Sequence, residues 1–186
     1  MRLLVVVLAL SLACCAAEAK RIELVVFHLN DVHGYIGTQS DGGKIQNGFP
    51  LLADALQKRM IQARGRGART MFAFAGDMFQ GTPVVDASRG ACMVDLFNAL
   101  HLTVACLGNH EFDYGPTSLL AALVSAKYPV VTTNVHTDRA FGRYVKDHAI
   151  LDLGPVKVGV VGFLTPQTPV VSLPWNVEGL EVGDPA

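Results

Sequence analysis

Short, uniformly apolar runs alternate along the chain with longer segments whose apolar residues recur every three or four positions, and this alternation predicts the elements. Ile22–His28 (IELVVFH) is apolar and β-branched and reads as a buried strand. A Gly/Ser/Asn-rich loop, Gly34–Gly48, precedes a helix that places Phe49, Leu52, Leu56, Met60 and Ala63 on one face. Thr70–Ala75 is a second strand, followed by a Gly/Asp/Pro loop and a helix over about Gly90–Leu100 with Met93, Leu96, Phe97 and Leu100 inward. Leu102–Leu107 is a third strand. Pro116 takes the first-turn position of the next helix, whose apolar face is Leu119, Leu120, Leu123 and Val124. Val130–Thr133, Tyr144–Leu151 and Val156–Phe163 are the fourth, fifth and sixth strands. Strands alternating with helices predict βαβ units and a largely parallel sheet, an α/β fold. From Gln167 to Ala186 the chain holds three Pro, two Gly and no clear period. With no helix predicted to cover the sixth strand, exposed apolar surface is expected there.

The first residues change the compartment. Arg2 precedes the apolar run Leu3–Leu10, and Ala17-Glu18-Ala19 supplies an A-x-A cleavage pattern, so residues 1–19 read as a signal peptide. A membrane anchor or a first core strand is the competing reading, but the run is well short of the roughly 20 residues that span a bilayer. No later segment is long and apolar enough to span, so residues 20–186 are expected to be soluble and secreted, with no transmembrane segment after cleavage. Cys14 and Cys15 would leave with the signal. Cys92 and Cys106 remain, most simply as buried thiols, alternatively as a disulfide.

Composition sets further bounds. The chain has 186 residues, 51% of them hydrophobic and 17% charged, enough for one domain with a core and too apolar for disorder. Fifteen Lys+Arg against sixteen Asp+Glu leave no field that would gather nucleic acid. The basic run Lys58, Arg59, Arg64, Arg66 and Arg69 could hold phosphate, but a solvated face complementing a helix C-terminus is the plainer reading.

The polar residues fall repeatedly at the carboxyl ends of strands, where α/β sheets bind ligands. The first strand runs into Asn30-Asp31-Val32-His33-Gly34, the second into Gly76-Asp77-Met78, and the third into Gly108-Asn109-His110-Glu111 with Asp113 close behind. Taken singly, Asp31 or Asp77 could be an Asx-turn, His33 a hydrogen-bonded surface residue, and Asn109 the occupant of a left-handed turn. Three strand ends in succession make that joint coincidence a weak reading. In extended chain, residues two apart point to one side, so Asp31 and His33 can reach one metal together. Carboxylate, imidazole and amide oxygen without thiolate suit Zn, Mn or Fe. Asp77 can bridge two cations and Asn109 can offer its carbonyl to the second. His110 is placed to donate a proton or hydrogen bond, with Asp113 near enough to orient it.

Asp31-x-His33, Gly76-Asp77 and Gly108–Glu111 resemble the motifs of the calcineurin-like metallophosphoesterases. Leu29–Gly34 (LNDVHG) and Leu107–Gly115 (LGNHEFDYG) narrow the resemblance to the secreted 5′-nucleotidase group, which includes apyrases and UDP-sugar hydrolases. It extends over about residues 22–171, where Gly159–Thr165 (GVVGFLT) is similar to a family strand that precedes later ligands. The resemblance implies a four-layer α/β/β/α domain holding two divalent metals. Asp31 and His33 would bind one, Asp77 would bridge, Asn109 would bind the other, and His110 with Asp113 would be the catalytic dyad. It implies hydrolysis of a nucleotide or other phosphate ester by in-line attack of a metal-bound hydroxide.

The chain departs from that pattern after the sixth strand. The family's later His ligands have no counterpart, since no His follows His148, and the group's C-terminal nucleotide-binding domain is expected to lie outside these 186 residues. His28, His101, His136 and His148 read as surface or packing residues. Residues 20–186 are therefore expected to be the N-terminal portion of the domain, incomplete on its C-terminal side. Metal one would keep three of four ligands and metal two only two, so little or no turnover is expected of this chain. The alternatives are a non-catalytic secreted binding protein that retains part of the fold, and a phosphoesterase acting on cyclic nucleotides or other esters.

Overall fold

The computed structural model describes residues 21–39, 45–46, 48–136 and 141–185; the expected signal segment, 1–19, lies outside them. The described chain begins with β1 (Leu24–Leu29) and a small antiparallel hairpin, β2 (Thr38–Gln39) and β3 (Ile45–Gln46), within the segment expected to be loop. There follow α1 (Gly48–Gly65), β4 (Arg69–Ala75), α2 (Pro83–Ser88), α3 (Ala91–Ala99) and β5 (Val104–Cys106). A single 3-10 turn, Asn109–Phe112, leads to α4 (Gly115–Leu123), β6 (Val130–Val131), β7 (Val135–His136), α5 (Phe141–Tyr144) and β8 (Val145–Lys146). The chain continues through β9 (His148–Asp152), β10 (Lys157–Val161), α6 (Thr168–Val171), a 3-10 turn at Pro174–Asn176 and β11 (Glu181–Val182).

Five strands form a parallel sheet in the order β1-β4-β5-β6-β8. Alternate residues of each strand face opposite sides, and both sides of the central strands β4, β5 and β6 are covered. β1 lies at the edge with Val26 and His28 exposed, and is not the buried strand expected from its sequence. Phe72 and Phe74 of β4, Ala105 of β5 and Val130 of β6 pack with Phe49, Leu56 and Met60 of α1, Met93 and Phe97 of α3 and Leu119 of α4. Phe97 is fully buried, with its ring 4.7 Å from that of Phe74 and 5.9 Å from that of Phe49. Burying such a side chain is worth about 1.5–3 kcal/mol. Met71, Val104 and Val131 point the other way, against Ala149, Leu151, Val158 and Val160. This requirement for apolar residues at both parities explains why β4 reads as an unbroken apolar run.

The chain is thus a mixed α/β domain on a parallel central sheet. Several expectations are corrected in detail. Tyr144–Leu151 is not one strand: Tyr144 ends α5, β8 joins the parallel sheet, and β9 leaves it. The sixth strand, β10, pairs antiparallel with β9 instead of extending the sheet, because Gly154-Pro155 turns the chain back, with Leu153 N–H donating to Val156 O at 3.0 Å. The loop after β4 contains α2, which Pro83 opens at its first turn. Val124 is exposed and Ala122 is buried in its place. Cys92 and Cys106 are free thiols, each half-buried. His28, His101, His136 and His148 are all exposed.

The segment without a readable period is held by buried amides. Asn134 Nδ2 donates to Leu164 O and to Gly183 O, each at 2.8 Å, while its Oδ1 accepts from Leu164 N–H at 2.9 Å. One side chain thereby joins the chain after β10 and the chain after β11, and β11 pairs with β7. The outer face of the β9–β10 hairpin, with Ile150 and Val161, is exposed, as is Phe163 beyond it.

Candidate active site

The loops leaving β1, β4 and β5 meet at one rim of the sheet, and their backbones determine the meeting. Asp31, His33 and Asp77 all have positive φ, at 52°, 45° and 63°. The expected reason for pairing Asp31 with His33 is therefore corrected: these residues lie in a left-handed turn beyond β1, not in extended chain. The turn docks on the β4 loop, with Asp31 N–H donating to Gly76 O and His33 N–H to Asp77 O, both at 3.0 Å. His33 Nε2 and Asp31 Oδ1 nonetheless lie 3.8 Å apart.

The β4 and β5 loops approach each other through two glycines. A Cβ on Gly76 would lie 2.7 Å from Gly108 N, and one on Gly108 would lie 2.1 Å from Asp77 Oδ1. The side chain of Asp77 occupies the space a larger residue at 108 would need. Its Oδ1 accepts the His110 N–H at 3.0 Å.

Glu111 binds the two loops from beneath. Its Oε2 accepts N–H groups from Asp77 at 2.8 Å and Gly108 at 2.5 Å, and its Oε1 accepts from Met78 at 2.6 Å and Phe79 at 3.2 Å. It is 1% exposed. Burial pushes its carboxyl above the ordinary value, and the N–H groups of Asp77, Gly108 and Met78 oppose that push by favouring the anion. Glu111 falls within the predicted motif but had no role assigned from sequence.

His110 and Asp113 are in contact, Nδ1 to Oδ2 at 2.6 Å. Burial draws the imidazole pKa down, but the hydrogen bond and charge of Asp113, with the charges of Asp77 and Glu111, outweigh it and leave His110 above its ordinary value. The His110 ring also meets that of His33 edge-on, centroids 4.8 Å apart. Asn176 Nδ2, from the C-terminal segment, donates to Asp113 O at 2.5 Å. Tyr114 Oη donates to Asp86 Oδ1 of α2 at 2.5 Å, bracing the same loop from the other side.

One ligand atom each from His33, Asp77 and His110 lies within 4.8 Å of the others. Two imidazole nitrogens and a carboxylate oxygen, half-buried and without thiolate, fit a divalent ion such as Zn, Mn or Fe. Asp31 adjoins this group through His33. Asn109 opens the 3-10 turn that carries His110, so it sits at the same rim but not in a left-handed turn. Of the six residues singled out from sequence, the structure brings His33, Asp77 and His110 within 4.8 Å of one another, with Asp31 beside His33 and Asp113 bonded to His110, while Asn109 lies in the same loop as His110. His110 is thus nearer to the prospective ligands than its separate role suggested.

A family model described as calcineurin-like phosphoesterase matches residues 24–161. The chain is similar to snake venom 5′-nucleotidase of Crotalus adamanteus, 32% identical over 170 residues that cover 87% of this chain and 29% of that protein. It is 32% identical over 161 residues to human 5′-nucleotidase, covering 82% of this chain and 28% of the relative. Among solved structures, a 5′-nucleotidase precursor from Thermus thermophilus superposes with a TM-score of 0.72 at 31% identity, over 86% of this chain and 32% of that one. The chain thus spans about three-tenths of the length of these relatives.

Proposed function

Because the chain belongs to the calcineurin-like phosphoesterase family, we propose that it carries the metal-binding and proton-donating part of a phosphoester hydrolase site whose substrate is an extracellular nucleotide. The single observation that carries this is the convergence of His33, Asp77 and His110 within 4.8 Å, with Asp113 Oδ2 2.6 Å from Nδ1 of His110. The choice of nucleotide rests on relatives described as 5′-nucleotidases. Export rests on the predicted signal segment and on a venom protein among those relatives.

In this reading Asp31, His33 and Asp77 hold one divalent cation, and Asp77 with Asn109 contributes to a second. Such cations, when bound, polarise a phosphoryl oxygen and neutralise charge that builds in the transition state. The chain's own residues do the rest. Asp113 keeps a proton on His110 Nδ1 and leaves Nε2 for the substrate side. A histidine pKa raised above the ordinary value favours the cationic ring, which can donate a hydrogen bond to a phosphoryl oxygen or a proton to the leaving oxygen. Gly76 and Gly108 hold the two loops close enough for the dyad and Asp77 to address one phosphate.

The test is metal content of the purified chain with Zn or Mn supplied, followed by phosphate release from AMP. Bound metal that falls in His33→Ala and Asp77→Asn, with any phosphate release abolished by Asp77→Asn, is the expected result. Metal content indifferent to both substitutions would overturn the reading.

A further inference from the structure

We propose that Glu111 is the positioning residue of this site, a buried anion that clasps the β4 and β5 loops together and so sets the aim of Asp77 and His110. The inference rests on the reading of Asp77 as a metal ligand and adds a residue that touches neither metal nor substrate. Among the described residues Glu111 ion-pairs with no Lys, Arg or His; its charge is met by the four backbone N–H groups of Gly108, Asp77, Met78 and Phe79. Three of the donors flank the β4 turn, and one of them is the amide of Asp77 itself. The fourth, Gly108, immediately precedes Asn109.

The clasp is reciprocal. Glu111 accepts from the Asp77 amide, and the Asp77 carboxylate accepts from the amide of His110, the residue next to Glu111. A closed ring of this kind leaves neither loop free to slide. It also helps hold the Asp77 backbone at its positive φ of 63°, a left-handed conformation that Asp tolerates but that its surroundings must favour. A neutral amide at position 111 would turn an NH2 group toward N–H donors, and a shorter carboxylate would not reach both loops. Only an acceptor with two oxygens at this distance satisfies all four groups.

The experiment compares the purified chain with Glu111→Gln, Glu111→Asp and a control core substitution on α1, Met60→Ala, at a temperature where circular dichroism shows each to be folded. Binding of Mn2+ alone is measured by calorimetry, and Co2+ absorption reports the coordination environment. Amide exchange by NMR follows Asp77, Met78, Phe79 and Gly108 in metal-free protein. Glu111→Gln is expected to weaken Mn2+ binding by about 10–100-fold, to alter the Co2+ spectrum and to speed exchange at those four amides, with Glu111→Asp intermediate. Met60→Ala should leave all three unchanged. Equal loss in Met60→Ala, or unaltered amide exchange in both Glu111 variants, overturns the proposal. If the unsubstituted chain binds no Mn2+ or Co2+, the ligand reading of Asp77 fails, and the exchange data still decide whether Glu111 sets the loops. Should Glu111→Gln fail to fold, Glu111→Asp carries the same comparison.

Discussion

Asn176 donates a hydrogen bond to the backbone carbonyl of Asp113, tying the Pro-rich C-terminal segment to the loop that carries the dyad across 63 residues of sequence. The amide is nearly buried, so without it the Asp113 carbonyl would lose its partner in a poorly hydrated place. Asn176→Ala should destabilise the chain by about 1–3 kcal/mol in urea unfolding. It should also broaden the Asp113 and Tyr114 amide resonances. An unchanged midpoint and unchanged resonances would show that the segment merely rests on the loop.

The His110–Asp113 contact has a pH signature. In the metal-free chain the His110 imidazole should titrate above the ordinary histidine value, near 6.5, and Asp113→Asn should bring it down. The sign for stability follows from a raised folded-state pKa. The contact's contribution is complete below the unfolded value and is lost as pH rises through the folded one. NMR titration of the His110 ring, with unfolding followed from pH 5 to 9, tests both parts. A His110 that titrates identically in the two proteins would contradict the assigned contact.

Removing the His110 ring separates its possible roles. In a full-length enzyme carrying this site, His110→Ala should retain bound metal within about twofold and lose most of kcat, because the loss falls on transition-state charge stabilisation. Elemental analysis of the unsubstituted chain should give about one equivalent of tightly held metal, since a second would rest on Asp77 and the neutral amide of Asn109. If His110→Ala loses metal as His33→Ala does, His110 is itself a ligand. Two tightly held equivalents would mean that further residues complete the second site.

Gly108 has no room for a side chain. Gly108→Ala would drive a methyl into the Asp77 carboxylate, 2.1 Å from Oδ1 and 2.7 Å from the Asp77 nitrogen. The chain should lose about 1–3 kcal/mol of stability, with the His110–Asp77 hydrogen bond disrupted and metal binding weakened in parallel. Thermal melting with and without Mn2+ measures both. Gly65→Ala, where a Cβ meets nothing within 4 Å, is the matched control and should melt as the unsubstituted chain does.

Local pattern was enough to place β1, α1, β4, α3, β5 and α4, because a parallel strand buried on both faces must be apolar at every position and a covering helix must be apolar every third or fourth. The same pattern placed the Asp, His and Asn motifs at three strand ends, where the topology of an α/β sheet makes a rim. It could not tell that β10 returns on β9, since an apolar run records that a strand is buried and not which neighbour it pairs with. Gly154-Pro155 was the available sign of that turn, and Pro83 was the sign of α2.

Tertiary structure alone decided the fit of the site. Asp31, His33 and Asp77 stand in left-handed turns that are held by bonds between loops about 45 residues apart in sequence, and no periodicity encodes such a turn. Glu111, Asn134 and Asn176 serve N–H and carbonyl groups of segments 30 to 63 residues away. A buried carboxylate or amide has no local preference that announces this use. Its free energy comes from satisfying backbone groups that become neighbours only once the chain has folded. Sequence could therefore name the chemistry of this rim, while the distances that would let that chemistry act together exist only in the folded chain.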